Sequence, residues 1–277
     1  MKKQTIIALF VVLACLVSCS TSPQTKKEKV KGKAEQHYNK ALKMFNARNY
    51  FEAAPSFEEL KEKFPVSPYA TIAELRLGDC HFLQDELELA IHYYDNFKRL
   101  HPNNPNVPYS IYMTGICHFE QLLSTDRDQT AALEAVEYFQ SLIELYPESP
   151  YTGKAMCKMS EAKKQIAEHE FLVGQFYLTN KKYKGATERF TKVLKQYPKA
   201  IDKSKIYYHI AQADFESGNT RRCTKIVELL TNKYPESEYT ARARALTGQT
   251  PVQKEKSEEK DKNEKEDKSK KNKWLFF

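Results

Sequence analysis

The side chains able to carry chemistry are six cysteines and seven histidines, and spacing decides what each can do. Cys80, Cys117, Cys157 and Cys223 form no CxxC pair and no other metal-ligand spacing. His37, His81, His92, His101, His118, His169 and His209 are scattered, with no HExxH and no paired-histidine pattern. There is no GxSxG elbow and no glycine-rich phosphate loop. This inventory assigns no catalytic residue, no metal and no cofactor, and the chain reads as a non-enzyme. One cysteine stands apart. Cys19 follows Leu16-Val17-Ser18 at the end of an apolar run, Ile6 to Val17, that starts just after Met1-Lys2-Lys3. A basic start and an apolar stretch too short to span a bilayer mark a targeting segment. A small residue at Ser18 admits a peptidase, and the Cys19 thiolate is a nucleophile.

The Leu-Val-Ser-Cys stretch resembles the bacterial lipoprotein box. That implies a signal peptide over residues 1–18 and acyl chains, palmitate among them, on Cys19 as the new N-terminus. The plainer alternative is an ordinary secretory signal with an incidental cysteine. At roughly 0.8 kcal/mol per buried methylene, several acyl chains anchor almost irreversibly where one does not. Ser20 after the cysteine, by similarity to enterobacterial sorting, favours the outer membrane. Residues 19–33 are polar and lysine-rich and read as a flexible tether.

The elements that follow repeat. Small residues recur at Ala41, Gly78, Gly115, Gly174 and Ala211, and again at Ala53, Ala90, Ala135, Ala186 and Cys223. Prolines close each unit at Pro65, Pro102, Pro147, Pro198 and Pro235. The spacing predicts an all-α tetratricopeptide-repeat superhelix of five helix-turn-helix repeats over residues 34–247. The common period here is 37 residues rather than about 34, which predicts longer turns between hairpins. Tyr151 to His169 reads as a prolonged helix leading into the fourth repeat. Cys80 and Cys117 hold equivalent places two residues after a glycine, so small buried packing is predicted and no disulfide. Residues 248–277 read as a disordered charged tail: Lys254 to Lys273 carries nine lysines and seven acids with no apolar residue. It leads to an apolar tag, Trp274-Leu275-Phe276-Phe277, which holds the only tryptophan.

Two rows on the first helices are candidates for binding. Four residues after the small residue come Phe45, Phe82, Phe119, Leu178 and Phe215; three before it come Tyr38, Leu75, Tyr112, Phe171 and Tyr208. An aromatic stripe at helical spacing is ordinarily core. Two rows on one helix exceed what closing a hairpin requires, so several are expected to be partly exposed along a peptide groove. The third repeat carries an eight-residue insertion containing Asp126-Arg127-Asp128-Gln129-Thr130. Asp128 or Thr130 is suited to cap the next helix. Arg127 between two aspartates suggests an ion-pair network that fixes the loop, or a partner contact. The net charge of +8 falls to +6 without Lys2 and Lys3 and forms no basic stripe, so nucleic acid is not indicated.

Several of these stretches together resemble the BamD family, lipoproteins of the outer-membrane β-barrel assembly machinery. They are the Cys19 box, His101-Pro102-Asn103-Asn104-Pro105 with Tyr109 and Tyr112-Met113-Thr114-Gly115, and the Asp126–Thr130 insert ahead of Phe139 and Tyr146-Pro147-Glu148-Ser149. Ala167-Glu168-His169-Glu170, Phe176-Tyr177 and Arg189-Phe190 through Tyr197-Pro198 complete them. The resemblance runs from about residue 36 to 245, and the DRDQT insert and AEHE stretch make it specific. It implies a lipid-anchored scaffold on the periplasmic face of the outer membrane that binds BamA periplasmic domains and unfolded barrel precursors, with other assembly lipoproteins as further partners. Precursors would meet the N-terminal repeats at Tyr38, Phe45, Leu75, Phe82, Tyr112 and Phe119. BamA would meet Arg189 and Lys195, the second a point charge where relatives carry an arginine fork. The charged tail departs from the family pattern, and its apolar tag is expected to dock in the chain's own groove or a neighbour's. The alternative reading is a secretion pilotin or a cell-wall coordinating factor.

Overall fold

The structure, a computed structural model, describes residues 23–248, with side chains from Lys31 onward. The lipidation site Cys19 and the tail with its tag lie outside these residues. Among the described residues there are eleven α-helices and no strand. They are α1 (Pro23–Asn46), α2 (Tyr50–Lys63), α3 (Pro68–Leu83), α4 (Leu87–Leu100), α5 (Val107–Glu120), α6 (Thr130–Leu145), α7 (Thr152–Thr179), α8 (Tyr183–Gln196), α9 (Lys203–Glu216), α10 (Thr220–Lys233) and α11 (Glu238–Leu246). They fall into two compact units, residues 23–123 with 130–162 and residues 124–129 with 163–248.

Each hairpin is closed by a glycine or alanine facing one large side chain. A Cβ added at Gly78 would lie 2.6 Å from the Tyr94 ring, and one at Gly115 2.6 Å from the Phe139 ring. In the second unit the same relation joins Gly174 to Phe190. Tyr94, Phe139 and Phe190 each sit four residues beyond Ala90, Ala135 and Ala186, one helical turn along the same face. The close approach is therefore small against large, where the sequence suggested small against small. In the last hairpin Ala211 shares its core with Val227, so a smaller partner compensates for the methyl group.

Turn chemistry repeats as strictly. Three-residue turns place Arg48, Asp85, Lys181 and Gly218 at φ 60°, 63°, 58° and 81°, the left-handed conformation that glycine adopts without strain. At the other end Phe64, His101, Tyr197 and Tyr234, each preceding a proline, leave the helix at φ between −128° and −136°. Contact with the proline ring disfavours the helical region there. The turns between hairpins, four residues at 64–67 and six at 101–106, are longer than these three-residue turns; the third hairpin differs, with nine residues, 121–129, inside it.

Two elements differ from the sequence reading. Residues 23–33, part of the expected tether at 19–33, are the opening turns of α1. Proline at the first helical position and a run of Gln, Lys and Glu favour helix intrinsically; the lack of apolar residues removes only a buried face. Beyond the fifth hairpin, α11 packs Thr240 and Ala243 onto α9 and α10. Cys80, Cys117 and Cys223 are buried thiols and Cys157 is exposed. Burial pushes Cys80 and Cys117 up to about 12, so neither is a thiolate nucleophile.

Two predictions follow from packing. Gly115→Ala should lower stability by about 1–3 kcal/mol through overpacking against Phe139, whereas Gly153→Ala, with nothing within 4 Å, should leave the Tm unchanged or slightly higher. In the second unit His209 lies against Phe171 and Phe190, with ring centroids 5.1 and 5.6 Å away. Burial, with Lys205 and Arg242 adding to it, pulls its pKa down from 6.5 to about 4, against a bond to Gln212. A depressed histidine favours the neutral fold, so its contribution is present above pH 6.5 and is lost as pH falls toward 4. A Tm-against-pH series should show that loss, and His209→Phe should flatten it.

Candidate docking surfaces

The insertion loop and α7 form one assembly in the second unit. Gln129 is 7% exposed. Its Nε2 donates to the Ser124 and Arg127 carbonyls at 3.1 and 3.0 Å, while Gln165 Nε2 donates to Gln129 Oε1 at 3.1 Å. His169 Nδ1 donates to the Thr125 carbonyl at 2.7 Å. The adjacent Glu170, 6% exposed, accepts from Arg189 at 2.8 Å and Lys192 at 2.6 Å. Burial would raise the Glu170 pKa, but the two cations hold it below the usual carboxylate range. The insertion loop and the part of α7 around the AEHE stretch are thus bonded to one another, through Gln165 to Gln129 and His169 to Thr125. Gln129 and His169 supply bonds that tie the loop, while Asp126, Arg127 and Asp128 are exposed. A buried amide satisfies carbonyls that a solvated guanidinium leaves to water. The Ser124 hydroxyl and its own backbone N–H lower the Asp126 pKa. Thr130 is the first residue of α6.

In the first unit the aromatic rows are stitches between neighbouring helices. Tyr38 lies between Phe57 and Tyr69, and Phe45 packs on Tyr50 and Phe57. Tyr112 stacks on Tyr151 with centroids 5.4 Å apart, and Lys158 covers Phe119 at 4.2 Å. Phe82 is half-buried against the same core. Leu75 is core, 5% exposed, and corrects the expectation of an open row. The reason is geometric: the next hairpin packs against this side of each first helix, so both neighbours use the row.

Two clefts stay open in this unit: one of about 400 Å³ between charged walls that include Lys98, Glu134 and Glu137, and a more aromatic one of about 240 Å³ lined by Ile72, Leu75, Arg76, Asp79, Asn106, Tyr109 and Tyr151. Asp79, which the sequence reading passed over, lies at its floor. Its Oδ1 accepts from Tyr94 and Tyr109 hydroxyls at 2.7 and 2.5 Å, and its Oδ2 from Arg76 at 2.8 Å. Burial first, then the Asp79 charge, raises both tyrosine pKa values far above 10. An acid directly after Gly78 on an otherwise apolar face was the available signal.

Arg189 and Lys195 do different things. Arg189 is bound to Glu170 and lies 5.9 Å from the Tyr177 ring. Lys195 is exposed and lines a groove of about 700 Å³ formed by α8, the end of α9 and the start of α10, with Lys184, Lys192, Glu188, Asp214 and Arg222. Asp214 is buried, its pKa raised by burial against the pull of Arg222 at 3.1 Å.

Among the described residues no three potential metal ligands converge and no helix is long and apolar enough to cross a membrane. Helical hairpins of tetratricopeptide type, with clefts framed by charged and aromatic side chains, define a helical repeat protein. Residues 30–207 match the family described as YfiO, outer membrane lipoprotein, and the chain belongs to that family. It is 26% identical over 198 residues to the outer membrane protein assembly factor BamD of Caulobacter vibrioides, covering 72% of this chain and 65% of that one. The BamD of Neisseria meningitidis serogroup B is 30% identical over 173 residues, 59% of this chain and 65% of the relative. That of Vibrio cholerae is 27% identical over 208 residues, covering 72% and 85%. The chain thus spans about 65% of the length of the first two.

Gln129→Ala removes the partner of two carbonyls and of Gln165. It should cost about 1–3 kcal/mol and speed amide exchange over residues 124–129, with Arg127→Ala having the smaller effect on both.

Proposed function

We propose that the chain is an outer-membrane protein assembly factor, anchored by lipid on Cys19 at the periplasmic face and performing no reaction itself. The observation that carries this reading is the family match across residues 30–207, which takes in both the loop and the α7 stretch that clasp one another. The relatives' shared name supplies the process. In this reading the first unit receives unfolded barrel precursors along Tyr38, Phe45, Phe82, Tyr112 and Phe119, whose partly exposed rings suit alternating aromatic strands. The exposed Lys195 groove meets an acidic surface of the BamA periplasmic domains, and Arg189, fixed by Glu170, shapes that region rather than reaching out. Further assembly lipoproteins are candidate partners.

Photoreactive residues placed at positions 82 and 195 in cells test both faces. Crosslinks from 82 to barrel precursors and from 195 to BamA are the expected result. Products containing a secretin or a cell-wall factor would favour the pilotin or coordinating reading instead. Mass spectrometry of the mature N-terminus should find acylated Cys19, and an unmodified thiol would remove the anchor from the account.

A further inference from the structure

The charge of the chain is divided between the units. Over residues 23–123 and 130–162 there are 15 Lys and Arg against 18 Asp and Glu, a net of −3. Over residues 124–129 and 163–248 there are 18 against 11, a net of +7. The segment beyond Gly248 is polarised as well. Glu255 to Asp267 holds seven acids and four lysines, whereas Lys268 to Lys273 holds four lysines and no acid. The acidic stretch directly follows the basic unit, and the basic stretch directly precedes Trp274-Leu275-Phe276-Phe277. Like a two-part label, it matches basic unit then acidic unit in order.

We propose that Trp274–Phe277 is an internal ligand of the acidic unit, seated in the cleft of Ile72, Arg76, Tyr109 and Tyr151 and competing there with incoming polypeptide. The cleft, at about 240 Å³, is below the size of cofactor pockets and suits an aromatic side chain. Its walls are two tyrosines, Ile72 and Leu75, with the Arg76 guanidinium held over the Phe45 ring at 5.5 Å and bonded to Asp79. Arg76 and Asp79 offset one another, so the seat itself carries little net charge and favours an apolar occupant; the surrounding unit supplies the attraction for Lys268 to Lys273. The 25 residues between Gly248 and Trp274 span up to about 90 Å when extended, several times the ~14 Å radius of gyration of a unit of this size. Regulation of precursor access rests on the reading of this face as a precursor surface; occupancy by the tag does not.

Trp274, the only tryptophan, is its own reporter. The mature chain, residues 19–277 with Cys19→Ser so that no acyl chain competes for the indole, should show blue-shifted emission protected from acrylamide. Ile72→Asp and Tyr151→Ala should release it. The quadruple change of Lys268, Lys270, Lys271 and Lys273 to Glu should release it too. Deleting residues 274–277 should tighten binding of a barrel-derived aromatic peptide about tenfold, the factor for a ~100 μM occupant held at ~1 mM effective concentration. A freely quenched Trp274, or protection unmoved by all three changes, overturns the proposal. Protection that rises with protein concentration overturns it in favour of a second copy. Peptide binding without Trp274 protection defeats the internal ligand and leaves the precursor surface standing; protection without peptide binding does the reverse.

Discussion

The contact on which both units depend is a missing side chain opposite a ring. Gly78 against Tyr94, Gly115 against Phe139 and Gly174 against Phe190 let antiparallel helices close around a fully buried aromatic. Burying such a ring contributes roughly 1.5–3 kcal/mol relative to exposure, and only a residue without a Cβ admits it at this distance. Turns, proline stops and inter-hairpin rows follow from that spacing, because each hairpin of fixed width presents the same two edges to the next. Where the register holds alanine, Ala211 goes with a thinner partner, Val227, and Ala41 shares its core with Phe57.

Hairpin number, small residues, proline stops and the long α7 were legible because they depend on spacing along one helix. The seam was half legible: the glycines were identified, but their partners lie a turn beyond the second small residue, and only packing shows which atoms meet. The aromatic rows misled for a related reason. Tyr38, Phe45, Tyr112 and Phe119 recur at groove-like positions, yet a neighbouring helix or a lysine covers part of each, and Leu75 is core outright. Residues 23–33 looked like tether because polarity was taken for lack of structure, whereas a helix without an apolar face needs only propensity.

Long-range hydrogen bonds were the least legible. Gln129 reads as one polar residue among five in its loop, and nothing in its immediate surroundings points to Gln165, 36 residues on. Its role depends on the loop folding back over α7, which exposes the flanking charges and buries the amide. Glu170 is similar: the sequence marks it through the AEHE stretch, but the Arg189 and Lys192 contacts arise from α7 and α8 facing each other. Charged residues in this protein divide into those that hold helices together, such as Glu170 and Asp79, and those left exposed, such as Lys195.

Asp79 has a consequence for how the first unit comes apart. One of its oxygens accepts from Tyr94 in its own hairpin and from Tyr109 in the next, so neither hairpin is electrostatically complete alone. Repeat arrays ordinarily fray from an end, losing one module at a time. Here, peeling away the third hairpin would leave Asp79 with Arg76 and Tyr94 but without Tyr109, which couples the melting of the two modules.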